Sequence, residues 1–153
     1  MASRLPCTEA EGPGRRAALW VQGCNKRCRG CCNPAYLQLA ERELVSASSV
    51  LDWLRNAHHA HDLEGVTFLG GEPMLQAQGL AFVAQGAQSL GLSVMVFSGY
   101  TKSELDVLRL PGADQLHPDD GARHRHQRRH HPADHRPCPL RHRPERRVSG
   151  GDG

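Results

Sequence analysis

Three short apolar runs constrain the first 110 residues: AALWVQG at 17–23, VTFL at 66–69 and SVMVF at 93–97. Each has the length of a strand. VTFL, β-branched and aromatic between Gly65 and the Gly70-Gly71 pair, has the composition of a buried one. Between the runs stand stretches with apolar residues at helical spacing. In SASSVLDWLRNAHHA, Val50, Trp53, Leu54 and Ala57 fall on one face, the mark of an amphipathic helix. Ser49 and Asp52 are expected to cap its start, since a hydroxyl and a carboxylate satisfy free N–H groups there. In LAFVAQGAQSL, Leu80, Val83, Ala84 and Ala87 share a face and Gly91 supplies the stop. Thr101 and Glu104 form a second capping pattern ahead of LDVL. Continuous apolar runs separated by helices predict a parallel sheet of βα units in an α/β fold.

After Pro111 that pattern stops, which divides the chain into residues 1–110 and 111–153. The first part holds ten Lys/Arg and ten Asp/Glu; the second holds nine Arg, six acids and seven of the ten histidines. The formal net charge of +3 therefore belongs wholly to the second part. Aromatic residues that would stack on bases are absent there, so nucleic acid is not an expected partner. With few large apolar residues to offset its conformational entropy, 111–153 is expected to be a disordered tail. The sheet is then expected to be truncated after about three βα units. A shifted reading frame at this point is a sharper reading. Translating the source DNA in its other two frames tests it, and fails it if neither continues the βα pattern.

No run is long enough to cross a membrane. MASRLPCTEAEGPGRR has charge and glycine where a signal peptide needs an apolar stretch. A cytoplasmic location is the expectation, and in a reducing compartment clustered cysteines point to metal or redox chemistry before disulfides.

Four of the six cysteines lie in CNKRCRGCC, residues 24–32. Cys24, Cys28 and Cys31 give C-x3-C-x2-C, with Cys32 directly after. Thiolates are soft ligands for zinc, copper(I) or iron–sulfur clusters. A structural zinc site normally takes two ligand pairs, and only Cys28 with Cys31 has that spacing. A ferredoxin cluster takes a fourth cysteine at its own spacing, which Cys32, adjacent to Cys31, does not offer. Three ligands on a short loop leave a coordination position open, as a catalytic metal requires.

LWVQGCNKRCRGCCNP, preceded by EGPGRR, resembles the cluster loop of the radical S-adenosylmethionine superfamily. Within it the sequence is similar to the activases of glycyl-radical enzymes, above all the activating protein of anaerobic ribonucleotide reductase and its one-cluster relatives. The resemblance covers roughly residues 8–110. It implies a partial (βα) barrel and a 4Fe-4S cluster held by Cys24, Cys28 and Cys31, with S-adenosyl-L-methionine on the fourth iron. FLGGEP (68–73) supports it independently: Gly70, Gly71, Glu72 and Pro73 match the family's GGEP motif. Paired glycines let a ligand approach the backbone, and Glu72 suits the methionine ammonium group. VFSGYT (96–101) resembles the end of the third strand, where Ser98 would face the cofactor. Where relatives carry an aromatic or histidine residue, this chain has Cys32, read as a small buried thiol.

The activity implied is reductive cleavage of S-adenosylmethionine to a 5′-deoxyadenosyl radical, which takes a hydrogen from a backbone glycine of a partner enzyme. A flavodoxin- or ferredoxin-type donor would supply the electron. The competing readings are a cluster- or zinc-binding accessory module, which needs no Glu72, an inactive truncated relative, and a radical enzyme acting on a small molecule. Other patterns carry less. GPGRRA at 12–17 matches a dinucleotide-binding pattern by letters, but precedes a strand rather than following one. His58, His59 and His61 fall at a helix end, where a cation suits the dipole. Lys26, Arg27 and Arg29 read as a solvated charge run, or as groups that tune the cluster or meet an acidic electron donor.

Overall fold

The computed structural model describes residues 1–108, with side chains described through Leu105. The tail expected over 111–153 lies outside the described residues. Four strands form one sheet: β1 (Ser3–Thr8), β2 (Arg16–Val21), β3 (Gly65–Gly70) and β4 (Ser93–Val96). Their order across the sheet is β1-β2-β3-β4. Three helices, α1 (Ala47–His61), α2 (Ala77–Ser89) and α3 (Lys102–Leu108), accompany short 3-10 turns at Pro34–Tyr36 and Pro73–Gln76.

The three expected strands are present and parallel, β2 with β3 and β3 with β4. The sheet is nevertheless mixed, because β1 pairs antiparallel with β2 at the edge. SRLPCT carries no apolar run, and Pro6 lies where the register shifts between Leu5 and Thr8. Proline is tolerated there because an edge strand or bulge needs no N–H from it. Among the described residues the four strands form an open sheet.

Helix α1 begins one turn earlier than its expected cap. Ser46, not Ser49, is the N-cap: its Oγ accepts the Ser49 N–H at 3.1 Å, and Ser49 Oγ donates to the Ser46 carbonyl at 2.9 Å. Asp52 instead pairs with Arg55 on the surface at 2.6 Å, a contact of little energetic weight. The buried face is Val50, Leu51, Leu54 and Ala57. Trp53 is only partly buried, with the Arg4 guanidinium 5.5 Å above its ring. In α2, Val83 and Ala87 are buried as expected, and Leu80 and Ala84 pack at the core margin. At α3 the expected capping box is reciprocal: Glu104 N–H donates to Thr101 Oγ1 and Thr101 N–H to Glu104 Oε2.

Both helices α1 and α2 cover one face of the sheet, where Ala17, Leu19, Val66, Phe68 and Val96 meet Leu54 and Val83. On the opposite face Ala18, Trp20 and Leu69 form a smaller cluster with Leu5, Tyr36 and Phe97 at its margin. At the start of β2 on that face lies Arg16, 2% exposed. All five of its N–H donors are used: on Thr67 Oγ1, the Pro13 and Val66 carbonyls, and both oxygens of Ser93. Thr67 Oγ1 passes the network on to the Glu11 carbonyl. A Cβ on Gly65, the register partner of Arg16, would displace the guanidinium and the Ser93 hydroxyl. Burial draws the Arg16 pKa down, and the charge of Glu64 opposes the shift.

Candidate metal and cofactor site

Parallel strands end on the same edge of a sheet, and in α/β folds ligands bind beyond that edge. The loops that leave β2, β3 and β4 there are the three motifs read from the sequence: the cysteine loop, the GGEP turn and the SGYT turn. Hydrogen bonds join them in series.

The first junction links β2 to β3. Gly71 N–H donates to the Val21 carbonyl and Glu72 N–H to the Gly23 carbonyl, each at 2.8 Å. Gly70 has φ +106°, and a Cβ on it would stand 2.7 Å from the Val21 nitrogen. A Cβ on Gly71 would fall on the Gly23 carbonyl oxygen. Both glycines thus permit the close approach of a neighbouring strand end. The far end of the cysteine loop is fixed beside its start, with Gly23 N–H on the Tyr36 carbonyl and Cys24 N–H on that of Leu37.

A second junction links β3 to β4 through Glu72, which is 1% exposed. Its Oε1 accepts from Met74 N–H at 2.9 Å and Ser98 Oγ at 2.8 Å, and Oε2 from Gly99 N–H at 2.8 Å. A carboxylate has about four acceptor positions, so one remains, on Oε2. Ser98 Oγ also accepts the Tyr100 N–H at 3.1 Å. This hydroxyl therefore holds Glu72 and its own turn.

The third junction links the turn after β4 back to the cysteine loop. Asn25 Nδ2 donates to Tyr100 Oη at 2.8 Å. Lys26 Nζ lies 3.6 Å from the Tyr100 ring centroid and 3.2 Å from Glu104 Oε1. Hydrogen bonds from the Thr101 N–H and hydroxyl, and then from Lys26, hold the Glu104 carboxyl below its ordinary pKa. Sequence reading missed this junction: Lys26 is held by the fold, while Arg27 and Arg29 are exposed.

Cys24 is buried, Cys28 exposed, and Cys31 and Cys32 intermediate. Backbone N–H groups point at two sulfurs: Lys26 N–H at Cys24 Sγ and Asn33 N–H at Cys31 Sγ, both at 3.4 Å. Burial, and then the neighbouring Cys31, push the Cys32 thiol up. Its exposure is intermediate, where the sequence reading expected a small buried thiol. Among the described residues no group of three His, Cys, Asp or Glu side chains stands at metal-ligand spacing. The donor set nonetheless fits an iron–sulfur cluster in chemistry: three soft thiols on a loop fixed at both ends, two already accepting N–H groups. Metal sites commonly complete themselves only with the metal bound.

The remaining candidates fall away from the site. GPGRRA precedes β2, with Gly12 and Gly14 at positive φ. His58, His59 and His61 occupy the last turn of α1. Among the described residues no helix is long and apolar enough to cross a membrane.

Comparison with known proteins agrees with the loop chemistry. Residues 10–114 match the family described as the 4Fe-4S single cluster domain, and the chain belongs to that family. Its curated relatives are activases of glycyl-radical enzymes, the type that the sequence resembled. The anaerobic ribonucleoside-triphosphate reductase-activating protein of Enterobacteria phage T4 is 30% identical over 69 residues, 45% of this chain and 44% of the phage protein. A pyruvate formate-lyase-activating enzyme of Clostridium pasteurianum is 32% identical over 88 residues, 56% of this chain and 37% of that enzyme. The anaerobic ribonucleoside-triphosphate reductase-activating protein of Vibrio cholerae is 28% identical over 109 residues, 66% of this chain and 68% of its own length. The matches thus span less than half the length of the first two relatives.

Proposed function

We propose that this chain is a radical S-adenosylmethionine enzyme that installs a glycyl radical on a partner enzyme of the anaerobic ribonucleotide reductase kind. The observation that carries the reading is the convergence of the cysteine loop, GGEP and SGYT at one sheet edge, with Glu72 bonded to both neighbouring loops. Cys24, Cys28 and Cys31 would hold a 4Fe-4S cluster, and S-adenosyl-L-methionine would complete its coordination. When bound, the pair supplies one-electron cleavage of the sulfonium and so a hydrogen-abstracting radical.

The chain's own residues bind and orient. The acceptor position left on Glu72 Oε2 suits the methionine ammonium group, with Gly70, Gly71 and Pro73 shaping the turn that presents it. Ser98 acts on that carboxylate, since its hydroxyl donates to Oε1. The face bearing Trp20 and Leu69, opposite α1 and α2, is the side on which a partial radical S-adenosylmethionine barrel would curve. A flavodoxin- or ferredoxin-type protein would deliver the electron, and the setting would be the anaerobic cytoplasm.

Iron and sulfide content after anaerobic reconstitution tests the ligand assignment. Cys24→Ser, Cys28→Ser and Cys31→Ser should each lose the cluster and its visible absorption, and Cys32→Ser should keep both. Equal loss on changing Cys32, or retention by any of the other three, contradicts the assignment.

A further inference from the structure

We propose that Lys26 is a positioning residue for the cysteine loop, held by a latch that Tyr100 and Glu104 form at the end of β4. The inference rests on the cluster assignment above, but its geometry is independent of any bound group. Lys26 lies between Cys24 and Cys28, where a lysine in an open loop would be solvated. Here its side chain is only 23% exposed. The ammonium sits over the Tyr100 ring at 3.6 Å and on Glu104 at 3.2 Å. Asn25, the preceding residue, donates to the hydroxyl of the same tyrosine. Two adjacent loop residues thus make two contacts with the turn after β4 and one with the start of α3.

The turn is itself anchored. Gly99 N–H and Ser98 Oγ are bound to Glu72, and Glu104 is fixed by the capping box of α3. A Cβ on Gly99 would stand 3.0 Å from Lys26 Cγ, so the lysine stem lies against the backbone that bonds Glu72. Lys26, whose N–H donates to Cys24 Sγ, thereby ties the position of Cys24 to that of the buried carboxylate. Beyond it Arg27, Cys28, Arg29 and Gly30 are all exposed, with the Cys28 carbonyl accepting the Cys31 N–H.

The test compares hydrogen exchange of the apo full-length chain with that of Lys26→Met and Lys26→Arg. Methionine keeps the apolar stem and loses the charge; arginine can both stack on tyrosine and pair with a carboxylate. The hydrogen-bonded loop amides of Cys24 and Cys31 in Lys26→Met should exchange roughly fivefold faster, the combined worth of a cation–π contact and an exposed ion pair. Amides of β2 and β3 should be unchanged, and Lys26→Arg should match the wild type. In protein loaded with iron and sulfide, Lys26→Met should also release iron to a chelator roughly fivefold faster.

Equal exchange in Lys26→Met and wild type overturns the latch. Faster exchange with unchanged iron release overturns its positioning role. A wild-type chain that takes up no cluster overturns the cluster assignment instead, and exchange in the apo chain still decides the latch.

Discussion

Gly71→Ala should destabilise the chain by about 3 kcal/mol, at the upper end for an inserted methyl group. The new Cβ would fall on the Gly23 carbonyl oxygen, with the Gly23 carbonyl carbon and nitrogen at 2.8 and 3.0 Å. All three are backbone atoms, so no side chain can turn aside. Relief requires the ends of β2 and β3 to separate, and that breaks the Glu72 N–H bond to Gly23. The same displacement pulls the cysteine loop away from Glu72, so cluster uptake should fall along with stability. The midpoint of denaturant unfolding measures the first effect, and iron content the second. A variant as stable as the wild type would mean that the two loops are not in contact.

The opposite edge of the sheet carries the second large effect. Arg16→Met should cost about 4 kcal/mol, because it strands two buried acceptors, the Val66 carbonyl and Thr67 Oγ1, and removes a buried network. The Val66 carbonyl, the carbonyl and hydroxyl of Ser93, Thr67 Oγ1 and the Pro13 carbonyl all lose their donor. Methionine matches the length of the side chain but offers no N–H group. Arg16→Lys should recover only part of the loss, since an ammonium carries three donors without the planar fork. Thermal unfolding of the three proteins in parallel checks the order wild type, lysine, methionine. Equal stability of all three would show that the network holds nothing together.

Local features were legible in the sequence. The Thr101–Glu104 capping box needs only four residues to declare itself, and it is present as read. The three parallel strands are legible too, because each is an apolar run bounded by glycine or polar residues. Their parallel order places the cysteine loop, GGEP and SGYT on one edge before any coordinate is known. The start of α1 was harder. SASS offers three serines within four positions, and only backbone geometry selects Ser46. β1 escaped notice because pairing with β2, rather than its own composition, makes SRLPCT a strand.

What stayed illegible depends on contacts distant in sequence. Glu72 reads as an acid facing a ligand, and its bonds to Ser98 and Gly99 give no sign in the sequence. That Gly71 also stands against the Gly23 carbonyl is not legible. Arg16 reads as one charge in EGPGRR, whereas its fork reaches Val66, Thr67 and Ser93 across two strands. Lys26 reads as a solvated cation and is held by residues more than seventy positions away. A single sequence gives no sign of such pairings, because each partner alone is an ordinary polar residue.

The central claim is that Cys24, Cys28 and Cys31 hold a cluster with one iron open to S-adenosylmethionine. The most direct measurement is the paramagnetic resonance spectrum of the anaerobically reconstituted, reduced chain, with and without S-adenosylmethionine. A four-iron signal that changes on adding the cofactor is the result predicted here. A chain that forms no cluster, or a cluster whose spectrum is indifferent to the cofactor, would contradict it.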